Sequence, residues 1–554
     1  MENFRAERIK KLMMELVRIQ SDTGTRQEKD VEAYLHEWLG RRTYFKNHPN
    51  YFGLYPLEKD PLERSVVWGL VKGQGDQTVI LMHHHDVVDA FDYGSLAKLA
   101  YDPPRLRVAL AGMELTAAAR RDLAGDKWIF GRGTGDMKAG AAIQSVLLEE
   151  YSEKAGFKGN ILLLSVPDEE NLSAGMRGSL GLLSDLKAAF NLNYKLMIDS
   201  EPHEKEQDQI GLFQIGSAGK LLAVIYVRGK KSHIGYIYQG LNPVLILSEI
   251  VLQTELNTDY CDVVRGEVSP PPSWSYMRDN KEVYDASIPA SAGGYLSLIS
   301  LNKTPRNSIR QLKATCEHAV GLVMDKIRQS HTAYNHKLGR KDPAPSWQVP
   351  VRTFSELYRQ ALNDSGREFK DAYAEGLEAI SADIRQQRLD STEATLKIVE
   401  MTLEHVADLS PTVVIALSPP YYPSIHNDEF QGLPDRVDNL TEYLIEIAEN
   451  RWQETYRKKN YMMGITDLSY AALQNSEDIV PCIGPNMPLW QKTYDIPFTD
   501  MEVLSVPVIN IGPWAKDLHK FTERVYELDL CERTPALLES AIDYVLGELS
   551  AEVG

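Results

Sequence analysis

The sequence predicts an α/β protein, with a main sheet covered by helices on both faces and a smaller sheet inserted into it. Three observations predict this. Short, uniformly apolar runs alternate with segments of helical period, the pattern of strands buried on both faces. Near Gly211 the apolar runs thin out, and the first pattern resumes after residue 423. At 554 residues the chain is also too long for one compact core.

In order, Ile9 to Val17 reads as an amphipathic helix, broken by Ser21-Asp22-Thr23-Gly24. Glu28 to Trp38 follows as a second helix, with Val31, Tyr34, Leu35 and Trp38 on one face. Ser65 to Val71, Thr78 to Met82, Asn160 to Val166 and Lys195 to Ile198 read as buried strands, with a helix from Met137 to Glu150 among them. The inserted part begins with a strand over Lys220 to Val227 and a helix over Asn242 to Leu256. A strand from Gly293 to Leu301 and a long helix from Ser308 to Gln329 complete a small sheet with helices on one face. Phe354 to Ala407 is helical and charge-rich, and the strand Thr412 to Leu417 ends in Pro419-Pro420-Tyr421-Tyr422-Pro423, read as a return linker. A helix from Asp435 to Asn450, a strand from Val506 to Ile511 and a helix from Thr534 to Leu549 close the chain. The expected domains are 1–212 with 424–554, and an insertion over 213–423.

A net charge of −18 argues against nucleic acid as a partner, because phosphate binding needs clustered Lys and Arg. Cys261, Cys316, Cys482 and Cys531 lie far apart with no CxxC pair, the spacing of reduced thiols in a cytoplasmic protein. The first residues lack the apolar stretch of a secretory signal. No apolar run reaches the roughly 18 residues needed to cross a bilayer. The expectation is a soluble cytoplasmic protein without membrane partners.

Five short segments carry the chemistry. The strand Val79 to Met82 runs into His83-His84-His85-Asp86, where His84 and Asp86 share a face. His84 is the candidate ligand and Asp86 its orienting carboxylate, since a metal-bound imidazole usually donates its second N–H to one. Gly131-Arg132-Gly133-Thr134-Gly135-Asp136 is a glycine turn opening a helix. It lacks phosphate-loop spacing and offers a carboxylate, able to bridge two cations, where an anion would sit. Asp168-Glu169-Glu170 follows a strand, so adjacent carboxylates project to different sides, one for metal and one for a metal-bound water. Asp199 and Glu201 in Asp199-Ser200-Glu201-Pro202 share a face, and the pattern does not choose between them. His519, after the last apolar strand, supplies a second imidazole. Two imidazoles and three carboxylates suit a pair of Zn²⁺ ions.

Taken as an ordered set, these segments resemble the dinuclear zinc amidohydrolases typified by acetylornithine deacetylase, succinyl-diaminopimelate desuccinylase, aminoacylase and glutamate carboxypeptidase. That family reads H-x-D, G-R-G-x-x-D-x-K, D-E-E, E-P, and a late H before E-R, matched here by His84 to Asp86, Gly131 to Lys138, Asp168 to Glu170, Glu201-Pro202, and His519 with Glu523-Arg524. The resemblance implies a mixed-sheet zinc-peptidase domain interrupted by an α+β lid and dimerisation domain with one antiparallel sheet. It implies that His84, Asp136 and Glu201 hold one zinc, that Asp136, Glu170 and His519 hold the other, and that the peptide bond after Asp136 is cis. Co²⁺ and Mn²⁺ are alternative occupants. Asp86 would orient His84, and Glu169 would be the general base that takes the proton of a water to leave a hydroxide between the ions. Gly229-Lys230-Lys231-Ser232-His233 and Gly240-Leu241-Asn242 match the lid signature, making His233 the residue that reaches a partner subunit's site in a homodimer.

Two features depart from the family. Asn302, in Asn302-Lys303-Thr304-Pro305, stands where an arginine usually grips the substrate carboxylate. The lid is also about twice the usual length, as in a branch associated with bacterial arginine utilisation. The resulting expectation is hydrolysis of an amide bond in a small N-acyl amino acid or peptide-like substrate, in arginine or amino-acid catabolism. A carboxypeptidase or dipeptidase with the same metals, or a non-catalytic metabolite-binding protein, are the competing readings.

Overall fold

The computed structural model describes residues 2–281 and 283–547, so the last two residues of the helix expected to reach Leu549 lie outside the described residues. The chain forms two compact units, one of residues 1–217, 425–474 and 497–554, the other of 218–424 and 475–496.

The first unit is built on an eight-stranded mixed sheet. Its order is Phe52–Pro56, Ser65–Lys72, Lys158–Val166, Gln74–His84, Asn193–Asp199, Val508–Asn510, Gly211–Gln214, Tyr456–Lys459. The four central strands, from Lys158–Val166 to Val508–Asn510, run parallel, so their C-terminal ends lie together. Alternation buries both faces. Val79 and Leu81 join a core with the helices Glu2–Arg18, Glu28–Gly40, Lys138–Glu153 and Thr534–Leu546. Ile80 and Met82, equally buried, point the other way. Each such side chain stabilises the fold by about 1.5–3 kcal/mol.

In the second unit the strands Ser273–Asp279, Ser291–Ser300, Gly219–Arg228 and Thr412–Tyr422 are antiparallel, and Val351–Thr353 joins the edge parallel to Thr412–Tyr422. Three findings differ from the sequence expectation. Both faces of this sheet are covered, because the helices Phe354–Arg385 and Ser391–Glu404 pack on Val224, Tyr226, Val414 and Ala416, while Pro243–Thr254 packs against the strands separately from that cluster. The last strand continues through the cis Pro419–Pro420 bond, with its register broken after Ser418 where proline has no N–H to give. Residues 475–496, assigned from sequence to the first unit, belong to the second: helix Ser476–Asn486 packs on Pro305–Lys337, and Leu489 enters the helical core. Among the described residues no helix is long and apolar enough to cross a membrane, and all four cysteines are free.

Candidate metal centre

Ligands in open α/β sheets gather beyond the carboxyl ends of parallel strands, and the four parallel strands here deliver the site. Gln74–His84 ends in His84, while Lys158–Val166 leads to Glu169 and Glu170. Asn193–Asp199 leads to Glu201, and Val508–Asn510 leads towards His519.

Asp136 sits between the two imidazoles. Its Oδ1 is 3.0 Å from His84 Nε2 and its Oδ2 is 3.3 Å from His519 Nε2. His84 Nε2 is also 3.1 Å from Glu201 Oε1, and His519 Nε2 is 3.1 Å from Glu170 Oε1. Glu169 clusters with His84 and Glu201, and Glu170 with His84 and Asp136, so both adjacent glutamates reach the same imidazole beside different carboxylates. Asp199 turns elsewhere, accepting from the Thr466 hydroxyl at 2.9 Å and from the Ser200 N–H at 2.8 Å. The structure therefore brings Glu201, and not Asp199, against His84.

The backbone explains how Asp136 is held. The Glu523 carboxylate accepts the N–H groups of Gly135 and Asp136 at 3.1 and 3.3 Å, while its other oxygen pairs with Arg132 at 2.6 Å. A Cβ at residue 135 would stand 2.8 Å from that of Ala515, so only glycine lets the turn approach. The Asp136–Met137 peptide bond is cis. Asp86 does two jobs. His84 Nδ1 lies 3.0 Å from the Asp86 carbonyl and 3.5 Å from its carboxylate, and that carboxylate accepts the N–H groups of Glu169 and Glu170 at 3.1 and 3.2 Å.

Electrostatically the site holds more buried negative charge than its side chains balance. Burial alone would lower His84, but Glu201, Asp136 and Asp86 outweigh it and raise the imidazole well above its ordinary range. Hydrogen bonds to Asp136 and Glu170 push His519 up to about 11. Burial raises Glu169 and Glu201 well above the usual carboxylate range, and takes Asp199 up to about 7. Asp136 goes the other way: burial opposes, but His519 and His84 hold it low. Protons are drawn to the positions between imidazole and carboxylate where cations would sit. The donor set of two imidazoles and bridging carboxylates fits divalent metal ions by both charge and chemistry.

Three groups escaped the sequence reading. Asp467 is buried beside Ser173, which partly offsets its burial, yet neither carboxyl oxygen meets hydrogen-bond geometry with a described group, and burial pushes it up to about 8. Glu28 and Arg64 contact the Asp168 turn. None lies in a glycine-rich or histidine-bearing segment, and only the position of Thr466-Asp467 in a turn after Gly464 was a visible signal. In the second unit, His233 is exposed, with its Nδ1 accepting the Gly235 N–H at 3.1 Å. The N–H groups of Leu301, Asn302 and Lys303 all point at one carboxylate oxygen of Asp262.

Comparison with known proteins completes the assignment. Residues 116–504 match the model of peptidase family M20/M25/M40. YqjN of Bacillus subtilis (strain 168) is 33% identical over 97% of this chain and 96% of its own length. RocB of the same organism is 28% identical over 98% and 95%. An M20 family metallo-carboxypeptidase from Sulfolobus solfataricus shares the fold with a TM-score of 0.52 at 12% identity, covering 96% of this chain and 98% of that one. This chain belongs to peptidase family M20/M25/M40 and is a metal-dependent amidohydrolase.

Proposed function

We propose that this protein hydrolyses an amide bond in a small N-acyl amino acid or peptide-like substrate, in arginine or amino-acid catabolism, with two Zn²⁺ ions. The observation that carries this reading is the Asp136 carboxylate shared between His84 and His519, with Glu169 and Glu170 both gathered at His84. His84, Asp136 and Glu201 would hold one ion; Asp136, Glu170 and His519 would hold the other. When bound, such an ion pair activates water and polarises a carbonyl. Asp86 orients the His84 ring and fixes the backbone beneath both glutamates. Glu169, whose carboxylate burial makes more basic, takes the proton of the attacking water and delivers it to the leaving amine.

His233 is assigned to the oxyanion of a partner subunit's substrate in a homodimer. Because Gly235 N–H occupies Nδ1, the neutral ring carries its hydrogen on Nε2, a donor of the kind an oxyanion needs. Exposed Ile234, Tyr236 and Ile237 beside it support cover by a second copy. The four free cysteines support a cytoplasmic location. Asn302, exposed where an arginine would grip a carboxylate, points to a mode of substrate recognition other than that carboxylate grip.

The test is a panel of N-acyl amino acids and dipeptides, run with metal analysis on wild type, Glu169→Gln and His233→Ala. Glu169→Gln should keep its metal and lose about 10²–10⁴-fold in turnover. His233→Ala should lose turnover with metal unchanged. A fully active Glu169→Gln variant removes the assigned base. A metal-free, inert wild type that binds a metabolite favours the non-catalytic reading, and cleavage of dipeptides alone favours a dipeptidase.

A further inference from the structure

The turn that presents Glu169 and Glu170 has an awkward backbone. Asp168 has φ +71°, a left-handed conformation that residues with side chains seldom adopt. Three successive N–H groups leave this turn, and each is caught by a buried carboxylate. Glu28 takes that of Asp168 at 2.9 Å, and Asp86 takes those of Glu169 and Glu170. Asp86 is anchored from the metal side through His84. The anchor on the other side is Arg64.

Its guanidinium uses the whole fork. Nε and Nη2 grip the two oxygens of Asp60 at 3.0 and 2.8 Å, while Nη1 bridges Asp168 at 2.7 Å and Glu28 at 2.9 Å. Arg64, Glu28 and Asp168 are all nearly inaccessible to solvent, so these bonds act at low dielectric. Glu28 reaches further, accepting the Gly24 N–H at 2.8 Å at the entrance to its own helix. One cation thus ties together the start of a helix, the start of the Ser65–Lys72 strand and the catalytic turn.

We propose that Arg64 is a positioning residue for Glu169 and Glu170, acting through Asp168 and Glu28 to hold the turn in its left-handed form. All three of its guanidinium nitrogens are engaged by Asp60, Glu28 and Asp168, so it acts on the glutamates through them. The inference rests on the roles assigned above to Glu169 and Glu170, and its test is chosen to stand without them. A lysine keeps the charge but cannot span Asp60, Glu28 and Asp168 together, because it lacks the planar fork.

In Arg64→Lys, amide hydrogen exchange of the metal-free protein should quicken over residues 167–174 and stay unchanged in the Gly219–Arg228 strand of the second unit. Zinc affinity, read by chelator competition, should fall about 10–100-fold, as when a group that orients a ligand is lost. Turnover should fall by a similar factor while KM holds within about twofold, the signature of a misplaced base and not of weaker substrate binding. If Arg64→Lys does not fold, Asp60→Asn loosens the same fork and carries the same three readouts. Wild-type exchange over 167–174 in a folded variant overturns the proposal, as does faster exchange spread evenly over both units. A wild type without hydrolase activity would remove the base role of Glu169, and the exchange and zinc readouts would still decide the clamp.

Discussion

Acid should destabilise this protein partly through one histidine that binds no metal. His83 points away from the site, wholly buried, with Nδ1 2.9 Å from Gln144 Oε1. The Gln144 amide nitrogen faces the carbonyls of Met82 and Ile198, so its oxygen must accept and His83 must donate from Nδ1. Among the described residues His83 Nε2 has no partner, and protonating it would bury an N–H with nothing among them to receive it. Burial accordingly lowers His83 from about 6.5 to about 4. The sign follows. Above about 6.5 neither state takes the proton; between about 6.5 and 4 the unfolded chain takes it and the folded one does not, so stability falls with pH. At about 1.4 kcal/mol per pH unit the total is about 3 kcal/mol. Other buried groups, Asp199 and Asp467 among them, titrate with the opposite sign nearby, so wild type alone would mislead. The variant His83→Asn keeps a donor for Gln144 and removes the titration. Urea-unfolding midpoints of metal-free protein, measured from pH 7.5 to 4, should show the variant losing less stability than wild type by about 1.4 kcal/mol per unit below pH 6.5. A pH-independent offset from the smaller side chain is expected and does not matter. Parallel profiles would refute the reasoning.

Two further substitutions test how the site is supported. Arg132→Met breaks a pair in which both partners are fully buried, leaving Glu523 unpaired under the Asp136 turn. Such losses cost about 3–5 kcal/mol, so calorimetry should show a clearly lowered Tm, and an unchanged Tm would contradict it. Gly512→Ala would set a Cβ 1.9 Å from the Glu201 carbonyl oxygen. Glu201 must then shift, and metal analysis should find the His84 ion weakened or lost; two tightly held ions with full turnover would show that the strand ends tolerate the change.

The core of the fold was legible because strands buried on both faces are written as unbroken apolar runs. Val79 to Met82 and Ile161 to Val166 announce themselves locally. The ligand motifs were legible because each follows such a run. What stayed hidden depends on distant partners. Nothing local in 475–496 says that Leu489 will enter a helical core begun at Phe354. Period and composition gave Phe354 to Ala407 as helical, but not that these helices would cover a second face of a sheet. Asp199 and Glu201 are equivalent on a strand, and Thr466, far along the chain, joins the Ser200 N–H in holding Asp199 away. Arg64 reads as an ordinary charge before a strand until Asp60, Glu28 and Asp168 surround it.

The position of the Val508–Asn510 strand has a consequence for assembly. It lies inside the sheet, parallel to Asn193–Asp199 on one side and antiparallel to Gly211–Gln214 on the other. A ribosome emits both neighbours early and this strand much later, after the whole second unit. Until it arrives, the nascent chain carries a slot in its main sheet with two unpaired strand edges, a surface that other chains can join. The same late segment brings His519, so a chain cut short before it would keep the exposed edges and lack the second imidazole of the proposed metal centre.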